Sequence, residues 1–412
     1  MGRSQLAEDP KEITLSNGVQ VAIEDNPSSY SVSFGILGKV GAKDEEDEKA
    51  GLAHLLEHML FRGSKRYDRR EIARITDMLG GDFNGLTHKD YTLFYIRVPH
   101  DKLDIAMDVL FDIFLNPTLA EEDLEKEKQV ILEEIRDRDN DPEEVAKEKI
   151  LSLAWDGHPL GRSILGSQDT LLSINGEDLR DFLSLYHNPE AIIVSAAGRI
   201  DDSSFLSRVE NLLRPLNGCK KLSKEPPQFR AGEAEMFHPT TQVHLCLAME
   251  SAKAKEDAHY TYGVLAILLG GGSASRLFQK LREERGLCYD VEAEDIALED
   301  CGILNIYAAS HPNNKNLLRE LIEEELLSLR DKGVGREELE RAKKQLENAI
   351  LLSLESSLQR MMRIALSLFY RGRVVPIEET LERIERVTEE DVQEAISRSL
   401  DKGIAVFSLI PA

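Results

Sequence analysis

Cysteine is scarce in this chain. There are four in 412 residues (Cys219, Cys246, Cys288 and Cys301), widely spaced, with no C-x-x-C among them. That spacing excludes a cysteine-built zinc site or redox pair. It fits reduced thiols in a cytoplasmic protein. No stretch approaches the roughly 18 uninterrupted apolar residues that a membrane-spanning helix needs. The opening residues Met1–Pro10 lack the apolar core of a secretory signal, so a cytoplasmic location is expected. Positive charge is also short: 51 Lys and Arg stand against 75 Asp and Glu, a net charge of −24. Nucleic acid binding needs clustered basic residues and is excluded as an expectation. An acidic surface of this kind serves solubility first and the steering of cationic partners second.

The hydrophobic fraction is 42% and the charged fraction 31%. Those are the proportions of a folded globular chain. A chain of 412 residues is too long for one core. Two domains of about 200 residues are expected. The polar, proline-bearing stretch Asn217–Pro227 is the best linker. The segments on either side follow one plan. Thr92–Val98 reads as a strand, Asp101–Leu115 as an amphipathic helix, and Glu121–Arg138 as a second helix after the Asn116-Pro117 break. In the second half, Gly302–Ala308 reads as a strand, Asn316–Arg330 as a helix, and Glu337–Ser353 as another after Lys332-Gly333. Leu119–Glu127 aligns with Val334–Ala342, which puts Glu134 opposite Ala349. The expected fold is therefore α/β, an α+β sandwich of two homologous domains from an internal duplication. Each is a mostly antiparallel sheet covered by helices. The expected boundaries are 1–216, a linker at 217–232, and 233–412.

The most informative residues are His54, Glu57 and His58, in the helix-like run Gly51–Phe61. Positions i and i+4 share a helix face, so both imidazoles point one way and can hold one zinc ion. Glu57 lies on that side too and can reach a water at the metal without binding it. The order is H-x-x-E-H, the inverted zinc-peptidase helix. The flanking Ala53, Leu55, Leu56, Met59, Leu60 and Phe61 mark the helix as buried. Polar groups in such a place cost free energy unless something binds them. The second half has no such motif, so metal belongs to the first domain only.

A catalytic zinc takes three protein ligands and leaves one position open. The helix from Glu121 is crowded with acids, most of them a solvated face. Helical phase separates them. Leu124, Val130, Ile131 and Ile135 mark its buried arc, and Glu127 and Glu134 fall within it while Glu133 points away. Glu134 is the candidate ligand and Glu127 the candidate partner of a ligating group. The glycine-rich Gly270–Arg276 lacks the G-K-[ST] ending of a phosphate loop. It reads as a turn between helices, with Ser273 or Ser275 as a cap.

Taken together the chain resembles the pitrilysin-type zinc peptidases, the inverzincins, and within them the bacterial branch similar to mitochondrial processing peptidase. The resemblance covers nearly the whole chain. It rests on Gly51–Gly63, on Gly80–Gly85, on Tyr91–Tyr95, and on Glu127–Ile135. It continues through His158–Gly166, Tyr186–Pro189 and Ser275–Tyr289. The family pattern sets the third ligand 74 to 77 positions after the second histidine, and 134 − 58 = 76 selects Glu134. Glu127 then matches a second acid one helical repeat earlier. The resemblance implies that Arg282 and Tyr289 bind or polarise the substrate near the scissile bond. It also implies that Asn84, followed by Gly85, holds an extended peptide along an edge strand. Relatives often have alanine at Gly85, a difference expected to matter little because both residues are small.

The resemblance thus implies a zinc-dependent endopeptidase with His54, His58 and Glu134 as ligands and Glu57 as general base. Family members of about twice this length enclose the peptide between two halves. A chain of this size is accordingly expected to form a homodimer that encloses peptide substrate in a chamber with composite sites. Arg282 and Tyr289 would come from the partner copy. Neither nucleic acid nor membrane is an expected partner. The alternatives are a non-catalytic assembly subunit and a peptide-binding protein with structural metal. The intact H-x-x-E-H speaks against the first, and a count of only three ligands against the second.

Overall fold

A computed structural model describes residues 9–216 and 225–412. Residues 1–8, Cys219 and the 217–224 part of the expected linker lie outside the described residues. The chain forms two compact units. Among the described residues no helix is long and apolar enough to cross a membrane. Cys246 and Cys288 are buried and free, and Cys301 is buried.

The first unit is built on six strands: β1 (Lys11–Thr14), β2 (Gln20–Asp25), β3 (Ser31–Gly38), β4 (Asp82–Thr87), β5 (Thr92–Pro99) and β6 (Ile192–Gly198). Their order is β1-β2-β6-β3-β5-β4. Only β2 and β6 run parallel; the other pairs are antiparallel. The second unit holds β7 (Gly232–His238), β8 (Val243–Glu250), β9 (Cys288–Ala297), β10 (Gly302–Ser310) and β11 (Ala405–Pro411) in the order β7-β11-β8-β10-β9. Here β7 and β11 are the one parallel pair. The second order repeats β2-β6-β3-β5-β4 strand for strand. Side chains repeat too. Helix Glu121–Asn140 buries Leu124 and Lys128, and helix Arg336–Ser353 buries Leu339 and Lys343, the same pair in the same register. Each buried lysine also pairs with the glutamate one turn before it, Glu125 at 2.8 Å and Glu340 at 3.0 Å. The duplication expected from the aligned helices is present in strand order and in packing.

The central strands are buried on both faces, so each sheet needs apolar cover twice. On one face of the first sheet Val32, Phe34 and Ile36 pack with Leu55, Leu56, Met59, Leu110 and Phe111. On the other, Leu37, Leu93 and Ile193 meet Ile364, Ala365 and Leu368 of helix Ser357–Arg371. Buried Glu24 of β2 pairs with Arg360 and Arg363 of that helix. In the second unit, Cys246, Ala248, Ile303 and Phe407 pack against Val145, Ala146 and Ile150 of helix Pro142–Ala154.

The contiguous boundaries 1–216 and 233–412 therefore differ from the compact units. The first unit comprises 9–135, 163–216 and 353–376, and the second 136–162, 225–352 and 377–412. Each half lends one helix to the sheet of the other. The reason is physical: a two-faced sheet takes its second apolar cover from whichever segment presents it.

Candidate metal centre

Helix Leu52–Leu60 starts at Gly51, whose left-handed φ of 98° leaves no room for a side chain: a Cβ there would stand 2.6 Å from the Leu165 carbonyl oxygen. The buried Glu45 carboxylate accepts the Gly51 N–H at 3.0 Å and the Ala53 N–H at 2.7 Å. It thus satisfies the free first-turn donors and fixes the helix just before His54. Leu52, Ala53, Leu55, Leu56, Met59 and Leu60 are buried, and the two histidines emerge together with ring centroids 4.6 Å apart.

Glu134 meets them from helix Glu121–Asn140. Its Oε2 is 3.8 Å from His54 Nε2 and its Oε1 is 3.8 Å from His58 Nε2. His54, His58 and Glu134 form the one group among the described residues whose potential ligand atoms converge, all within 4.8 Å of one another. Zinc bonds of ~2.1 Å in a tetrahedron put ligand atoms about 3.4 Å apart, so these three suit zinc with little movement. Two imidazoles and one carboxylate are a donor set that suits zinc. The Glu134 side chain is 39% exposed, which leaves that side accessible.

Glu127 lies one helical repeat before Glu134 and is 1% exposed. It accepts from His58 Nδ1 at 3.1 Å and pairs with Arg62. Burial resists its charge, but the His58 and Arg62 contacts outweigh it and hold the carboxyl below its ordinary range. Burial likewise opposes charge on His58; the Glu127 hydrogen bond and the Glu134 and Glu57 charges overcome it and raise that imidazole. His54 behaves in the opposite way. Burial, with His58 beside it, pushes His54 down to about 3, so it is neutral and ready to ligate. Its Nδ1 is buried without a hydrogen-bond partner. Glu57 is buried, and burial raises its carboxyl against the Thr87 hydrogen bonds that lower it.

Glu127 and Glu134 lie on the histidine side of their helix and Glu133 is exposed, the order that helical phase predicts. Val130 departs from that phase: it is 42% exposed and does not mark the buried arc. The arc is narrower than the sequence pattern suggests, and Lys128 occupies its other flank with its charge on Glu125.

Strand β4 runs beside the site. Among the described residues it is a sheet edge, hydrogen-bonded only to β5. Asn84 is exposed on it and accepts the Gly85 N–H at 2.9 Å. At Gly85 an added Cβ would stand 2.5 Å from Glu57 Cγ and 2.7 Å from its Cδ and Oε1, so alanine there would require the Glu57 side chain to shift. Thr87 donates its hydroxyl to Glu57 Oε2 at 2.6 Å. Sequence reasoning misses both Glu45 and Thr87. They act from irregular or strand positions with no helical period to expose them.

Arg282 and Tyr289 come together in the second unit. Arg282 sits in a π-helical turn, Phe278–Glu283, with its guanidinium 4.8 Å from the Phe278 ring and 4.7 Å from that of Tyr289. Such turns recur at functional sites. Tyr289 is the second residue of β9, also a sheet edge among the described residues, and is 79% exposed. The turn before it departs from expectation: neither Ser273 nor Ser275 caps a helix through its side chain. The Ser275 hydroxyl is buried without a partner, and Gln279 donates its side-chain amide to the Ser273 carbonyl at 2.6 Å. The second unit keeps Ala342 and Ala349 where the first has Glu127 and Glu134.

Residues 20–168 match the family described as insulinase (peptidase family M16), and residues 173–346 match the peptidase M16 inactive domain. The chain is 35% identical over 402 residues to the uncharacterized zinc protease YmxG of Bacillus subtilis, covering 97% of this chain and 98% of that one. An uncharacterized zinc protease of Streptomyces coelicolor is 32% identical over 399 residues, covering 95% and 87%. In fold, the chain is similar to a protease from Helicobacter pylori, with a TM-score of 0.91 and 22% identity over 98% of this chain and 100% of that one. A peptidase M16 inactive domain from Pseudomonas fluorescens gives the same TM-score at 20% identity, covering 98% of both chains.

Proposed function

This chain belongs to the insulinase family of peptidases, M16, and on that premise we propose that it is a zinc-dependent endopeptidase acting on short or unfolded peptides. The observation that carries the reading is the convergence of His54, His58 and Glu134 with the Glu57 carboxylate buried beside them. When bound, zinc supplies a Lewis acid that acidifies water and polarises a carbonyl. His54, His58 and Glu134 would hold it, and Glu127 would orient His58 from behind. Glu57 takes the proton from the attacking water as the new C–O bond forms. It returns that proton to the amine nitrogen as the C–N bond breaks. The peptide adds as a strand to the free edge of β4 beside Asn84 and Gly85, giving main-chain affinity and weak side-chain selectivity.

The second half supports a composite arrangement. It lacks the ligand carboxylates yet carries the stacked Arg282 and exposed Tyr289. We infer a homodimer in which these two residues serve the metal site of the partner copy and stabilise the developing oxyanion. Each such donor typically contributes about 10²–10³ in rate.

Glu57→Gln tests the reading, because it preserves shape but cannot accept the proton. Zinc content and peptide binding should stay near normal, while cleavage of a pooled peptide library falls by at least about 10². Retention of most turnover in that variant would refute the proposed base.

A further inference from the structure

We propose that Thr87 is a positioning residue for the reaction: it holds the Glu57 carboxylate beside the ligand cluster while keeping it out of that cluster. This rests on the reading of Glu57 as general base. Glu57 is nearest in sequence to His58, yet the ligand atoms that converge belong to His54, His58 and Glu134. Glutamate is a rotamer-rich side chain, so something must hold it.

Strand β4 supplies that seat. Gly85 and Thr87 are two residues apart and share one strand face. Gly85 offers bare backbone against which the Glu57 side chain lies, so close that a Cβ would come within 2.5 Å of its Cγ. Thr87 then fixes the end of the side chain, its hydroxyl donating to Oε2 at 2.6 Å and its backbone also hydrogen-bonding the carboxylate. Thr87 is itself buried and paired in register with Thr92, which is fully buried on β5. The base on the metal helix is thus aimed by the strand along which substrate is proposed to lie.

Thr87→Val keeps size and removes the hydroxyl, and Thr87→Ser restores it. The measurements are kcat and KM on a cleavable peptide, zinc affinity by chelator competition, and a thermal melt. Thr87→Val should lower kcat about tenfold, the lower end of losses for outer-shell partners, with KM and zinc affinity within about twofold of wild type. Thr87→Ser should recover kcat to within about threefold, since a hydroxyl of the same donor strength returns. Wild-type kcat in Thr87→Val would overturn the proposal. So would a parallel loss of zinc affinity, or a serine variant as slow as valine. Glu57→Gln in the same assay separates the two readings. If it stays active, the assignment of the base fails. If it is inactive while Thr87→Val is normal, only the seat fails.

Discussion

Replacing Glu127 by glutamine removes one negative charge from a place that water hardly reaches, 1% exposed between His58 and Arg62. The amide can still accept from His58 Nδ1, so the ring stays oriented. What is lost is the charge that makes the imidazole a stronger donor to the metal. Losses of this kind weaken metal binding about 10–100-fold, which is about 1.4–2.7 kcal/mol. The pH dependence has a definite sign. In the metal-free protein Glu127 helps to raise His58 above its ordinary value. Zinc must displace that proton to bind. Without the carboxylate, His58 gives up its proton more easily. The deficit of Glu127→Gln should therefore be full at alkaline pH, where no proton has to leave, and should shrink as pH falls through the titration of wild-type His58. Competition against a chelator of known affinity at several pH values reads both numbers. Equal affinities at alkaline pH, or a deficit that grows on acidification, would refute the reasoning.

Alanine at Glu134 should sharply lower zinc occupancy measured by mass spectrometry, whereas alanine at exposed Glu133 should leave it unchanged; equal effects would overturn the ligand assignment. For the composite site, Glu57→Gln and Arg282→Ala homodimers should each be nearly inactive. An equal mixture that exchanges subunits freely should recover about a quarter of wild-type activity, since half the dimers are mixed and one site in each carries neither change. No recovery, with exchange confirmed by mass spectrometry, would refute a partner-supplied Arg282.

The centre is legible in sequence because its chemistry is periodic. His54, Glu57 and His58 are tied by one helical turn, and Glu127 and Glu134 by two. Where periodicity ends, so does the legibility. Glu45 caps the helix of His54 and His58 from an irregular turn, and Thr87 reaches Glu57 from a strand in a different element. Phase also extends the buried arc one step too far, to Val130, because a pattern of apolar letters does not show where that arc stops. The duplication is visible in aligned helices, but the exchange of helices is not. The apolar faces of Pro142–Ala154 and Ser357–Arg371 declare that each is buried, without declaring beneath which sheet.

That exchange also governs how the chain is made. Synthesis runs from the first residue, and a nascent domain usually folds once its own segment has emerged. Here the first sheet is translated by Gly198, but the helix that covers its second face begins at Ser357. Throughout the elongation between those two points, Leu37, Leu93 and Ile193 lack their cover, and Glu24 lacks the arginines that neutralise it. Helix Pro142–Ala154 meanwhile leaves the ribosome long before β8 and β11, the strands it packs against. Neither unit can finish on its own schedule. The first unit should therefore complete its folding only after the helix from Ser357 has emerged, with an exposed apolar sheet face for chaperones to shield until then.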